Sequence, residues 1–193
     1  MNRANRVALL SLLIAVLLGW GMAWAGSQNG VRVFGQPLFA LLIALIFLIQ
    51  WLVFLPSYWA RSEKFFDLTG SLTYIAVILL AFLGSPSIDG RAILLMLVVV
   101  IWAGRLGLFL FTRVRQSGKD GRFDDLKTSF LRFLNVWTLQ GVWITFTASA
   151  ALAAITTTVR QPLGLIAWCG LLIWLVGFAI EVVADNQKKR FKS

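Results

Sequence analysis

The chain has 193 residues, 59% of them hydrophobic, with nine Trp, fifteen Phe, a mean hydropathy of +0.82 and a net charge of +10. Soluble domains sit near half apolar, so this is the composition of an integral membrane protein. With no His and one Cys, the chain excludes His-ligated metal sites, Ser-His-Asp catalysis and an intramolecular disulfide, and no metal is expected.

Six apolar runs, each near the ~20 residues that a helix needs to cross the hydrocarbon, predict an all-α polytopic membrane protein forming one transmembrane domain over 1–193. The first run covers about 7–25. Arg3 and Arg6 before it, and "AWA" ahead of Gly26, also fit a secretory signal with a small-residue cleavage site. A Gly- and Asn-rich connection at 26–36 leads to the second run, 37–56. The third, 68–84, is the shortest and opens beside Asp67. "GSPSIDG" at 84–90 has the composition of a tight turn, and the fourth run, 92–112, carries Arg105. The basic loop "RVRQSGKDGRFDDLK" follows at 113–127, with Gly118 and Gly121 as turn markers. The fifth and sixth runs are 136–157 and 162–184; Cys169, inside the sixth, reads as a small core residue rather than a thiol nucleophile. Helices are required because a backbone in lipid must satisfy its own polar groups, and no alternating pattern suggests a barrel.

The cations fall in the short connections. With the N-terminus in the cytoplasm, fourteen Lys and Arg lie on the cytoplasmic side and three (Arg32, Arg91 and Arg160) on the other, with Arg105 inside a span. The positive-inside rule then predicts six spans with both termini cytoplasmic. Insertion topology and anionic lipid headgroups account for the basic balance, so membrane lipid is an expected partner. No soluble segment remains to bind nucleic acid.

Charges at membrane depth are costly and mark candidate functional positions. Asp67, Arg105 and Glu181, with Asp185 just beyond, all fall toward the cytoplasmic leaflet. Glu181 and Asp185 are spaced i, i+4, and the series continues to Lys188 or Lys189 and then Lys192, along one helical face. Arg105 is the expected counter-ion of Glu181 and should face the bundle interior, whereas Lys188, Lys189 and Arg190 read as snorkelling headgroup contacts. In the loop, Arg113, Arg115, Lys119 and Arg122 offer guanidinium and ammonium donors suited to phosphate; a purely topological basic loop explains them equally well. No glycine-rich phosphate fingerprint occurs.

Three stretches carry a resemblance: "EKFFDLTGSLTY" at 63–74, "WAGRLGLFLFTRVRQSGKDGRFD" at 102–124 and "EVVADNQKKRFK" at 181–192. They resemble the steroid 5-alpha-reductase family, and most closely its bacterial membrane-protein branch, which implies a bacterial inner membrane. That family consists of multi-span proteins that use NADPH to reduce a carbon–carbon double bond beside a carbonyl in a lipidic substrate. The resemblance implies that Glu181, Asp185 and Lys192 contact the cofactor from the cytoplasmic side. Arg105 matches an arginine of the family's mid-chain span, and Arg113, Arg115, Asp120 and Arg122 extend the cofactor set into the loop. The catalytic candidates are departures from the pattern. Trp102 stands where the steroid reductases have a carbonyl-polarising tyrosine, and an indole N–H donates a hydrogen bond but is no proton acid. Asp67 is a loosely placed substitute for a missing substrate-facing Gln-Glu pair. The chain ends at Ser193, before the Arg-His-Pro segment that completes the family's cofactor site, so a complete pocket is not expected. Two other readings stand beside the reductase: a protein like the S-adenosylmethionine-dependent methyltransferases, and a truncated, non-catalytic membrane scaffold.

Overall fold

The computed structural model describes residues 3–117 and 120–192, apart from the side chains of Gln116, Ser117, Lys189 and Lys192. Six helices carry the fold: α1 (Arg3–Gly26), α2 (Leu38–Trp59), α3 (Phe66–Gly84), α4 (Gly90–Ser117), α5 (Phe130–Thr156) and α6 (Leu165–Lys192). Each is long and apolar enough to cross a membrane, so the chain is a polytopic helical membrane protein.

The helices run further than the apolar pattern predicts. That pattern marks only the stretch in hydrocarbon, while the i→i−4 ladder continues through the headgroup region with charged residues on it. α4 therefore reaches Ser117 rather than 112, α6 reaches Lys192 rather than 184, and α5 begins at Phe130 rather than 136. α2 runs through Pro56 for one more turn, and Ala60 N–H closes it on the Pro56 carbonyl. At the start of α4, Asp89 accepts from Ala92 N–H at 2.8 Å and caps the helix, giving "GSPSIDG" a defined stop and start.

The connection at 26–36 is more ordered than its composition suggests. It holds a small hairpin, β1 (Arg32–Val33) paired antiparallel with β2 (Gln36–Pro37), in the register Arg32↔Pro37 and Val33↔Gln36. Its two turn residues, Phe34 and Gly35, both have positive φ (51° and 76°), the backbone that matches strand twist in two-residue hairpins. Val31 N–H then donates to the Thr156 carbonyl at 2.7 Å, tying the hairpin to the end of α5.

Contacts of this kind sort the connections onto two faces. The α1–α2 hairpin meets the end of α5, and Ser85, between α3 and α4, donates to the Ile155 carbonyl at 3.0 Å. On the opposite face lies the N-terminus, where Ser129 lies 3.4 Å from Asn5. The α2–α3 and α4–α5 connections join it there through Glu63 and Lys127 at 3.0 Å. α6 leaves the first face, so its charged end returns to the N-terminal face.

α5 is the hub, packing against α1, α2, α3 and α4. Lipid tails are as apolar as leucine, so helices in a bilayer associate through close packing and buried hydrogen bonds. Both devices are present. A Cβ on Gly107 would lie 2.6 Å from the Ser71 Cβ, so only glycine allows α3 and α4 this approach. Fully buried Gln50 donates to Thr73 at 3.0 Å, and Trp51 Nε1 donates to Thr138 at 3.0 Å. Near the N-terminal face the core turns aromatic, with Phe54, Phe123, Phe133 and Trp137 clustered beneath the loops.

Candidate functional site

α4 presents Trp102, Arg105, Phe109 and Arg113 at steps of three and four, so these side chains share one stripe. On α6 the half-buried residues also fall on one stripe, through Leu171, Trp174, Phe178, Glu181 and Asp185; Cys169 lies off that stripe and is exposed rather than in the core, because α6 packs through one edge only. The two stripes meet at Arg105. Its Nη1 donates to Glu181 Oε1 at 2.7 Å and its Nη2 to Asp185 Oδ2 at 2.5 Å. The i, i+4 spacing of the acids lets one planar guanidinium fork engage both. Trp102 Nε1 donates to the other Glu181 oxygen at 3.1 Å. The Phe109 and Phe178 rings lie 5.7 and 5.9 Å from the Arg105 guanidinium carbon, completing a cation–π cage. One guanidinium against two carboxylates leaves the cluster with one net negative charge.

Behind Trp102 stands Tyr74 of α3. The two rings meet edge to face at 5.1 Å, and the buried Tyr74 hydroxyl is hydrogen-bonded to that of Thr147 on α5. Tyr74 ends the first motif stretch but is not among the site candidates that charge at membrane depth marks. The available signal is its position seven residues after Asp67, which puts a phenol on the same helical face as the acid.

Asp67 itself belongs to a second, outer layer. It pairs with Arg113 at 3.4 Å, whereas both described acids on Arg105 come from α6. The charges expected to converge on one level thus divide into two layers along α4, because Arg113 lies two helical turns beyond Arg105. Asp120 and Arg122 bind each other at 2.5 Å, and Asp120 also accepts from the Arg122 N–H, which closes the short 3-10 turn Gly121–Phe123. Arg115 is exposed. The Lys192 side chain, and both Gly118 and Lys119, lie outside the described residues.

Glu63, the first residue of the motif stretch at 63–74, is also absent from the predicted site. It is 4% exposed, and it accepts from Asp120 N–H at 2.9 Å and from Lys127 Nζ at 3.0 Å. Burial alone raises its pKa, but the Asp120 N–H and the Lys127 ammonium outweigh burial and hold the carboxyl below its ordinary 4.5. Lys127 is correspondingly raised by Glu63 and then Asp124. Glu63 latches the 120–127 loop over the start of α3. Among the described residues no group of three or more His, Cys, Asp or Glu is placed to hold a metal.

In chemical terms the inner cluster offers carboxylate acceptors held by an arginine and an indole, with a phenol one ring away. The outer layer offers guanidinium groups at the membrane edge. A family model described as a protein of unknown function, DUF1295, matches residues 53–193, a stretch that contains both layers. No curated protein and no solved structure matches the chain.

The Glu63 latch has a testable pH dependence. A depressed carboxyl stabilises the fold fully above 4.5 and loses that contribution as pH falls through its lower folded value. At neutral pH, Glu63→Gln should cost about 1.5–3 kcal/mol, the scale of hydrogen bonds to a charged group. Thermal unfolding in detergent should show the gap between wild type and variant closing below pH 4.5. Curves that stay parallel through that range would rule the latch out.

Proposed function

The chain belongs to the DUF1295 family, and we propose that it is a membrane-embedded NADPH-dependent reductase, of the steroid 5-alpha-reductase kind, acting on a carbon–carbon double bond beside a carbonyl in a lipidic substrate. One observation carries the reading. Two stretches that bear the resemblance, 102–124 and 181–192, are 76 to 80 residues apart at their point of contact and meet through their charged side chains at Arg105.

The donors and acceptors fit the parts of a dinucleotide. Its ribose hydroxyls and carboxamide N–H are donors, suited to Glu181 and Asp185 in a cluster of net negative charge. Its phosphates need cations, which Arg113 and Arg115 supply about 12–15 Å further along α4 at 1.5 Å per residue. The bound cofactor would supply a hydride. Reduction of an enone also needs a group that polarises the carbonyl and delivers a proton. Trp102 can donate only a hydrogen bond, so we assign the proton to Tyr74, whose phenol packs against it. Charge asymmetry between the connections supports cytoplasmic termini, which puts the cluster within reach of a cytoplasmic cofactor.

A second reading has its own support. No described residue of α6 is buried, so the Arg105 cluster also suits a clamp holding that helix in a non-catalytic membrane protein.

Thermal-shift titration of the detergent-purified chain with NADPH, NADH and S-adenosylmethionine separates these readings, because a ligand of the folded state raises stability by mass action. The reductase reading expects NADPH to stabilise. Asp185→Ala should weaken NADPH binding by about 1–3 kcal/mol, and Lys188→Ala, on the exposed side, should change it little. Equal losses at both positions would reduce the effect to diffuse charge. Stabilisation by S-adenosylmethionine alone would indicate a methyltransferase, and no shift with any of the three would leave the clamp.

A further inference from the structure

Away from that site, α1 and α5 enclose an open cavity of about 530 Å³ at the N-terminal face. Its polar lining is Arg3 on α1 with Arg132 and Asn135 on α5, and its walls are apolar, including Val7, Leu126 and Val136. Among the described residues, no acidic side chain lines it. Neither arginine has an ion pair among the described residues, whereas Arg113, Arg122 and Lys127 on the same face each pair with an acid. The Asn135 Oδ1 atom is buried with no hydrogen-bond partner in the structure. Two guanidinium groups without an ion pair among the described residues, and the Asn135 side chain, thus line one concave site.

The cavity continues inward. Val7 is shared with a groove of about 250 Å³ that runs between Leu10, Ile14 and Leu18 of α1 and Leu139 and Val142 of α5. From Arg3 to Leu18 the helix rises about 22 Å, more than half of a hydrocarbon core of about 30 Å. The site is therefore cationic and hydrogen-bonding at the membrane edge and apolar for the depth of one leaflet. A soluble anion would use only its mouth, and a neutral lipid would leave the arginines uncompensated.

We infer that this is a binding site for one anionic glycerophospholipid. Its phosphate lies between Arg3 and Arg132, the Asn135 side chain hydrogen-bonds the headgroup, and an acyl chain lies along the α1–α5 groove. Guanidinium pairs suit phosphate oxygens, and basic pockets between helices are a recurrent form of anionic-lipid recognition. The lipid would bridge α1 to the hub helix.

The test uses the full-length chain in detergent, with native mass spectrometry and thermal shift reading the binding of phosphatidylglycerol, phosphatidylcholine of the same acyl chains, and inorganic phosphate. Phosphatidylglycerol should bind at least tenfold more tightly than phosphatidylcholine, and inorganic phosphate should not stabilise. Arg3→Gln with Arg132→Gln should erase the preference, while Arg61→Gln with Lys64→Gln, which removes the same charge from exposed positions on this face, should leave it intact. Ile14→Trp, which fills the groove, should weaken phosphatidylglycerol binding several-fold with both arginines in place, and it serves if the arginine double variant does not fold. Equal binding of the two lipids, stabilisation by inorganic phosphate alone, or an undiminished preference in both the arginine and the Ile14 variants would overturn the assignment.

Discussion

A guanidinium placed within a membrane-spanning helix must find compensating charge, and Arg105 is that constraint here. A lone charge near the bilayer centre costs roughly 2.5–3.5 kcal/mol even on insertion scales. Arg105 meets the cost with two carboxylates spaced to fit its fork and two aromatic rings that cover it. Because hydrocarbon gives α6 no hydrophobic reason to leave the lipid, this cluster sets where α6 lies against α4. From there the order propagates inward. Glu181 holds Trp102, Trp102 packs on Tyr74, and the Tyr74 hydroxyl reaches Thr147 on the hub helix α5.

The outer layer does a different job. Glu63, Lys127, Asp120 and Arg122 form a polar seam that pins the α4–α5 loop against the α2–α3 connection. This seam lies over the aromatic cluster of Phe54, Phe123, Phe133 and Trp137, which gives the loop a rigid floor. The consequence is positional. Arg113 and Arg115 lie in the last turns of α4, and the loop after that helix is held at Asp120 and Lys127.

How much of this can be read in the amino-acid string follows from which interactions are local. The six spans are legible because apolar length alone requires them, and the Arg105–Glu181 pairing is legible because a charge in a span must be met. The ends of the helices are not, since Pro56 and the charged last turns of α4 and α6 look like stops to a hydropathy pattern. The hairpin at 32–37 is hidden because Phe34 adopts a positive φ that its side chain gives no reason to expect. Glu63 stands beside Lys64 in a polar connection and reads as solvated; its burial depends on a loop 57 to 64 residues away. The division of Asp67 from the Arg105 cluster depends likewise on which face of α3 meets α4, a matter settled by the Gly107–Ser71 approach.

The most direct test of this account is a double-mutant cycle on Arg105 and Asp185, reading unfolding free energy in detergent or bicelles for wild type, Arg105→Met, Asp185→Asn and the double variant. If the cluster fixes α6 to α4, the two substitutions are strongly non-additive. The double variant then recovers much of the loss caused by Arg105→Met, with a coupling of about 1–3 kcal/mol, while a cycle of Arg105 with Asp67 is additive. Additivity of the Arg105 and Asp185 effects within about 0.5 kcal/mol would contradict it, because the guanidinium and the carboxylate would then contribute independently.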